Sequence, residues 1–165
     1  MAGIAELHKA MNTAWDTAGL ESEFKNRWAL ADRSSYVALN DTEAAPGTPW
    51  PYCVYESPAG DVTDRMSGPS DSVNYMVMDV PWYFRVYAMD SQGVSGKAIS
   101  VALAEKIIET FGGHPSPASS PVDLDIVGYG HLLTQYQNDY GTAIGEQQYL
   151  WTIEYLIRLD MPVSV

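Results

Sequence analysis

The sequence predicts a single α+β domain over residues 1–165, with a largely antiparallel sheet packed against an N-terminal helix and a central helix. The length of 165 residues suits one domain, and hydrophobic residues make up 46 % of the chain. Two stretches carry apolar residues at helical spacing, whereas several others alternate between apolar and polar side chains. These stretches follow the order helix, strands, helix, strands, which is typical of an α+β fold.

Each predicted helix has an apolar stripe and a glycine that ends it. The first stripe consists of Ile4, Leu7, Met11, Ala14, Trp15 and Ala18, and the helix ends at Gly19. His8 lies beside this stripe, on an edge that we expect to face solvent. The second helix is predicted over residues 95–111, before the glycine pair at 112–113. Its stripe consists of Ala98, Ile99, Ala102, Leu103 and Ile107, widened by Val101, Ala104 and Ile108.

Alternation and β-branched or aromatic content predict the strands. The predicted strands cover residues 52–56, 75–89, 122–127, 132–136 and 149–161. In the strand at 75–89 one apolar face is formed by Val80, Trp82, Phe84, Val86 and Ala88. Pro81 between them predicts a bulge, a sheet edge or a break into two strands. The last strand has an apolar face formed by Trp151, Ile153, Tyr155, Ile157 and Leu159.

Four segments carry no clear strand or helix pattern. Residues 21–41 are ambiguous between a strand and a short helix, and the three prolines at 44–51 predict a loop. Residues 57–74 and 137–147 are predicted to be long exposed loops, because glycine, proline and polar turn residues dominate them.

The strongly acidic charge excludes most routes to tight nucleic-acid binding. Asp and Glu total 21 against 9 Lys and Arg, which gives a net charge of −12, and no basic cluster exists. Such a charge also argues against binding to an anionic membrane surface. It is compatible with an inert surface past which DNA slides, since fixed negative charge repels phosphates.

The sequence gives no sign of secretion or of membrane insertion. The N-terminus lacks the basic region and apolar run of a signal peptide, and no apolar stretch is long enough to span a membrane. Cys53 is the single cysteine, so neither an intramolecular disulfide nor a cysteine-based metal site is possible. We therefore expect a protein that is made in the cytoplasm.

No phosphate-binding or hydrolase motif is complete. The segment at 93–98, GVSGKA, comes nearest to a phosphate loop, but Ser91 replaces its first glycine and Ala98 replaces its magnesium-binding Ser or Thr. We interpret it as a turn from a strand into a helix. A Gly-x-Ser-x-Gly elbow is also missing from the sequence.

The histidines and paired carboxylates do not form a recognisable site either. His8, His114 and His131 have no second histidine at helical spacing, so we expect no metal. Asp123 and Asp125 share a strand face as glycosidase carboxylates can, but we interpret them as residues on the solvent-facing side of a half-buried strand. We assign no catalytic, cofactor-binding or metal-binding residue, and we expect a protein without enzymatic activity or cofactor.

The order of the patterns resembles the tail terminator proteins of long-tailed bacteriophages, also called tail completion or neck proteins. The resemblance rests on an N-terminal amphipathic helix and on four segments, PWPYCVYE at 49–56, WYFRVY at 82–87, AISVALA at 98–104 and WTIEYLIRL at 151–159. It covers most of the chain, although residues 21–40 and the acidic loop predicted at 57–74 have no counterpart. It is carried by element order and hydrophobicity and by no catalytic motif.

The resemblance implies a structural virion protein. Such proteins form a ring, here a homohexamer, at the head-proximal end of the tail tube. The ring ends tube polymerisation and contacts the tail tube protein and a head-completion or connector protein. DNA passes through it without specific binding, and assembly takes place in the host cytoplasm before the protein resides in the virion tail or neck.

A closed ring needs two different contact patches on each subunit. The two long loops are the candidates for these patches, because both join strong strands. The candidate interface residues in them are Asp61, Asp64, Arg65, Asp71, Asp139, Tyr140 and Glu146. The sequence equally allows both loops to be plain surface loops.

Three other functions stay open at this point, one from the same neck and two from other classes. A head–tail adaptor or stopper of the same neck has the same sequence features. A small-molecule-binding or enzymatic α+β domain would line a pocket with the aromatic strand face, although that face offers only apolar residues. A host interaction domain is a third class.

Overall fold

The chain folds into one antiparallel sheet with helices on one side. The computed structural model describes residues 2–24, 50–57, 64–66, 73–112 and 122–164. Its helices are α1 (Ala2–Thr17), α2 (Leu20–Glu23) and α3 (Gly96–Phe111). Its strands are β1 (Tyr52–Glu56), β2 (Asp64–Met66), β3 (Val73–Met89), β4 (Gly130–Ala143) and β5 (Gln148–Ser164). The predicted α+β class with a largely antiparallel sheet is confirmed.

The sheet is built around two long central strands. The strand order is β1-β3-β5-β4, and β2 pairs with β3 on the side where β1 lies. β3 and β5 pair antiparallel over their full 17 residues, from Val73 opposite Ser164 to Met89 opposite Gln148. At the usual rise per residue each of these strands is about 55 Å long, well beyond the ordinary strand length.

Pro81 does not break β3. It lies opposite Leu156 of β5 in an uninterrupted register. On the other side of β3, β2 pairs with residues 75–77 and β1 with residues 83–87, so no described strand pairs with residues 78–82 there. Pro81 therefore occupies a local sheet edge, where the missing N–H is tolerated. This is one of the three outcomes that the sequence predicts.

The structure corrects the predicted ends of several strands. The strand predicted at 132–136 continues to Ala143, so the predicted loop at 137–147 shrinks to a turn at residues 144–147. β2 lies inside the loop predicted at 57–74. The strand predicted at 122–127 is wrong, since these residues belong to no strand and Ile126 forms only an isolated bridge with Tyr129. Their alternation is as predicted, since Leu124 and Ile126 are buried and the aspartates between them are exposed.

Both predicted helices are confirmed together with their ends. In α3, Ser95 is the N-cap and its side chain accepts a hydrogen bond from the Ala98 N–H at 3.2 Å. Gly112 adopts a positive φ of 81° and its N–H donates to the Ile108 carbonyl at 2.8 Å, which closes the helix.

The buried face of α3 is rotated from the predicted stripe. Ala98 and Ala102 are exposed. The buried residues are Gly96, Ser100, Leu103, Ala104, Ile107 and Phe111. α3 begins close to the sheet, because an added Cβ at Gly96 would lie 3.0 Å from the Ala88 carbonyl oxygen and 3.2 Å from that of Gln147.

The core lies between the helices and one face of the sheet, and the predicted faces of β3 and β5 are confirmed. Trp82, Phe84 and Ile153 are at most 1 % exposed. Trp15 of α1 stacks on Phe84, and Phe111 of α3 lies 4.9 Å from the same ring. The aromatic face of β3 is thus filled by packing, which gives no support to the alternative in which it lines a ligand pocket.

His8 is buried, contrary to the expectation that it faces solvent. It is 6 % exposed, and its ring lies 4.7 Å from the Trp82 ring and 6.4 Å from the Tyr55 ring. Its neighbour on the same helix, Asn12, accepts a hydrogen bond from the Tyr55 hydroxyl at 2.8 Å. Burial lowers the pKa of His8 from 6.5 to about 4, because the charged imidazolium loses its hydration there.

This burial predicts a loss of stability in mild acid. Between pH 6.5 and about 4 the unfolded chain protonates His8 and the folded chain does not, so stability that is complete above pH 6.5 falls as the pH approaches 4. The full loss is about 3 kcal/mol. Urea denaturation between about pH 7 and pH 5 checks this, with the His8→Leu variant showing a flatter dependence. Equal slopes for the two proteins would contradict it.

Two further findings concern the rest of the chain. None of the helices in the described ranges is long and apolar enough to cross a membrane. Cys53 is buried in β1, where its thiol donates a hydrogen bond to the Val54 carbonyl oxygen at 3.6 Å.

Candidate assembly surface

The predicted interface residues lie at opposite edges of the sheet. Asp61 and Asp71 are outside the described residues. Asp64 and Arg65 lie in β2, opposite Val77 and Met76 of β3. Asp139 and Tyr140 lie in β4, and the exposed Glu146 lies in the turn after it. The strand order separates Asp64 and Arg65 of β2 from Asp139 and Tyr140 of β4 by the two central strands, so these four residues fall into two separate groups.

β4 is an edge strand of 14 residues, and within the described part of the chain no strand pairs with its outer side. Most of its side chains are exposed, among them Leu132 at 51 %, Leu133 at 38 % and Tyr140 at 47 %. Two register shifts interrupt its pairing with β5, one between His131 and Leu133 and the other between Tyr136 and Asn138. The stretch after the second shift pairs regularly with β5.

The composition of β4 offers little protection against strand pairing. Its sequence, GHLLTQYQNDYGTA, contains neither lysine nor arginine nor proline, which are the residues that usually blunt an exposed edge. Asp139 is its only acidic residue. The two bulges protect the first part of the strand, whereas residues 138–143 lack such a device.

The Asp139 carboxylate is held by two aromatic donors. Its Oδ2 accepts a hydrogen bond from Trp151 Nε1 at 2.8 Å, and its Oδ1 accepts one from the Tyr136 hydroxyl. Burial, together with this carboxylate, raises the pKa of Tyr136 to about 12. Gly141 leaves room for the Trp151 ring, since a Cβ there would clash with it. These contacts tie residues 139–141 to β5 and explain why turn-like residues continue the strand.

Charged and aromatic groups pair across the outer face of the sheet, which we define as the face opposite α1 and α3. The Arg158 guanidinium binds the Asp79 carboxylate through two hydrogen bonds of 2.6 and 2.7 Å. The Tyr140 hydroxyl donates to Glu154 Oε1 at 3.1 Å. Arg85 lies 5.4 Å from the centre of the Tyr83 ring. No helix among the described elements covers this face, because α1 and α3 both pack on the core side.

A chain of hydrogen bonds through His131 has the residue types of a catalytic triad. His131 Nε2 lies 2.7 Å from Thr134 Oγ1, and Nδ1 lies 3.3 Å from Asp123 Oδ1. The Leu124 N–H also donates to Nδ1, at 3.2 Å. The ring thereby connects residues 123–124 to Thr134 of β4.

No sequence motif predicts that β4 extends through residues 138–141 or that Asp123 contacts His131. Asn138 to Gly141 has the composition of a turn, and only the pairing with β5 shows that it is a strand. Asp123 and His131 meet because the chain bends between them, where Gly128 has a positive φ of 82°. The nearest sequence signal is the glycine pair at 128 and 130, which predicts a bend without giving its partners.

The described residues contain no group of three or more His, Cys, Asp or Glu side chains that could hold a metal ion. The surface presents a strand edge with which no described strand pairs, a sheet face with paired charges, and exposed apolar side chains, which are features that also occur at protein–protein contacts.

Comparison with known proteins finds only distant structural similarity. No protein-family model matches the sequence, and no curated protein is significantly similar to it. Among solved structures, a chain described as part of the virion of a native gene transfer agent particle is similar over 86 % of this chain and 91 % of that chain. The two share 15 % sequence identity, with a TM-score of 0.46. Values this low establish neither a shared fold nor a shared function.

Proposed function

We propose that this chain is a structural virion protein of a phage-like particle and acts as a tail terminator. In this role it forms a ring, expected to be a homohexamer, at the head-proximal end of the tail tube. The ring ends tube polymerisation and joins the tail to a head-completion or connector protein, and DNA passes through its opening. The protein then resides in the virion neck and has no enzymatic activity.

The observation that carries this proposal is the one-sided sheet. Both long helices pack on one face of strands that are about 55 Å long, and the opposite face carries exposed side chains of β4, among them Leu133 and Tyr140, beside a buried cluster of Tyr52, Val54 and Tyr87 at β1. A ring subunit needs such surface, since it contacts two neighbouring copies as well as the tube below and the head protein above. The paired charges on this face, such as Asp79 with Arg158, suit a protein contact because they are already partly neutralised.

The acidic charge supports the passage of DNA. With a net charge of −12 the ring repels phosphates and does not hold the genome in its opening.

Inactivation of the gene in the source phage tests this proposal. A terminator mutant is expected to make tails of excess and variable length that do not join heads. If the mutant makes tails of normal length together with heads that lose their DNA, the result would instead favour the adaptor or stopper. If it makes normal infectious particles, the result would contradict every neck role. Complementation with the wild-type chain provides the positive control.

A further inference from the structure

We propose that the groove between α1 and residues 122–127, the acidic groove, binds an extended segment of another protein that carries basic side chains at alternating positions. The groove lies on the helix side of the sheet, because α1 forms one wall and Thr110 of α3 contributes to its lining. The inference goes beyond the terminator role and is independent of the opposite sheet face, on which that role depends.

The shape of the acidic groove fits an extended chain. Its volume is about 630 Å³, within the range of ligand-binding clefts. The α1 wall runs from Glu6 to Ala18, which is about 18 Å of helix. The facing segment at 122–127 is about 17 Å long if its residues rise as in a strand. Small side chains such as Ala10 and Ala14 line the α1 wall, so the backbone of a bound segment can come close to the helix.

The wall at 122–127 is held in place before a partner arrives. Burial alternates along it, since Leu124 and Ile126 are each 3 % exposed whereas the aspartates beside them are exposed, which is the pattern of an extended chain. The Leu124 N–H donates to His131 Nδ1 at 3.2 Å, and Ile126 forms a bridge with Tyr129. Such preorganisation lowers the entropy lost on binding.

Charge selects a basic segment of another protein as the occupant. The lining carries three carboxylates, those of Glu6, Asp123 and Asp125, and one amine, that of Lys9, which binds Glu6 at 2.8 Å. The Asp123 side chain is 97 % exposed and Asp125 is exposed as well. Two residues apart on an extended chain, they project to the same side about 7 Å from each other, which is the spacing of alternating side chains on a bound strand. A second copy, with its own net charge of −12, would be repelled.

Binding of two fluorescein-labelled peptides to the full chain tests the proposed site. Both are short capped peptides of valine, alanine and a pair of lysines, and the lysines alternate with alanine in one peptide and are adjacent in the other. In fluorescence anisotropy at low salt, we expect the alternating peptide to bind about two- to threefold more tightly. Adjacent lysines of an extended peptide point to opposite faces, so only one of them can meet the aspartates.

Variants of the two walls locate the site. The double change Asp123→Asn/Asp125→Asn is expected to weaken binding of the alternating peptide about fivefold, because two exposed charge pairs are lost. The matched control is Glu105→Gln/Glu146→Gln, which removes the same amount of negative charge at exposed positions outside the groove and should change binding less than about twofold. Thr13→Trp, at an exposed position of the α1 wall, should weaken binding by filling the groove without any change in charge. Circular dichroism checks that each variant is folded.

Any of three results would overturn the proposed site. The first is no binding of the alternating peptide at millimolar concentration, and the second is equal binding of the two peptides. The third is an equal loss of binding in Asp123→Asn/Asp125→Asn and in Glu105→Gln/Glu146→Gln, which would show that net charge alone attracts the peptide. None of these results decides the terminator role, which the tail-length phenotype tests separately.

Discussion

Replacing Ala104 with aspartate is expected to destabilise the domain severely, whereas the same replacement at Ala102 leaves it folded. Ala104 is 2 % exposed on the face of α3 that meets the sheet, and Ala102 is exposed on the opposite side of the helix. At position 104 the carboxylate loses its hydration in an apolar core and also overpacks it, at a cost of about 3–5 kcal/mol. At position 102 the expected loss of stability comes only from the lower helix propensity of aspartate and is about 0.5–1 kcal/mol.

Urea denaturation of the two variants measures this difference directly. The pair is well matched because the substitution, the helix and the change in net charge are the same. Equal stabilities, or a more stable Ala104→Asp protein, would show that Ala102 is buried against the sheet, as the stripe predicted from the sequence has it.

Replacing Trp82 with alanine is expected to cost about 3–5 kcal/mol, since it removes the largest buried ring of β3. Trp82 is 0 % exposed and lies between the His8 ring at 4.7 Å and the Tyr55 ring at 5.7 Å. The cavity would therefore separate α1 from β1 and from the sheet. A loss of this size is a large share of the stability of a typical domain.

Trp82→Phe is the control for this prediction. Phenylalanine keeps an aromatic ring between His8 and Tyr55 and removes the Nε1–H, a buried donor that has no hydrogen-bond partner among the described residues. We expect a clearly smaller loss of melting temperature than for Trp82→Ala. If Trp82→Ala melted like the wild type, the assignment of this face of β3 to the core would be wrong.

Much of the fold could be predicted because apolar periodicity reports burial. The faces of β3 and β5 and the ends of α3 follow from alternation, from the cap at Ser95 and from the glycine at 112. The phase of α3 could not be predicted, because alanines at 98, 102 and 104 are equally small and apolar. Packing of α3 on the sheet, with Gly96 close to two backbone carbonyls, buries Ala104 and leaves Ala98 and Ala102 exposed.

The candidate assembly surface was harder to predict because it depends on contacts distant in sequence. Asn138 to Gly141 favours a turn locally, and the pairing with β5 and the Asp139–Trp151 hydrogen bond override that preference. His8 was misplaced for a similar reason, since its burial comes from Trp82 and Tyr55 on two separate strands.

Quantitative mass spectrometry of purified virions of the source phage tests the central claim most directly. The copy number of this chain is compared with that of the portal protein in the same particles. We expect one ring's worth of copies in each particle. Absence of the chain from purified virions would contradict a structural role in the neck.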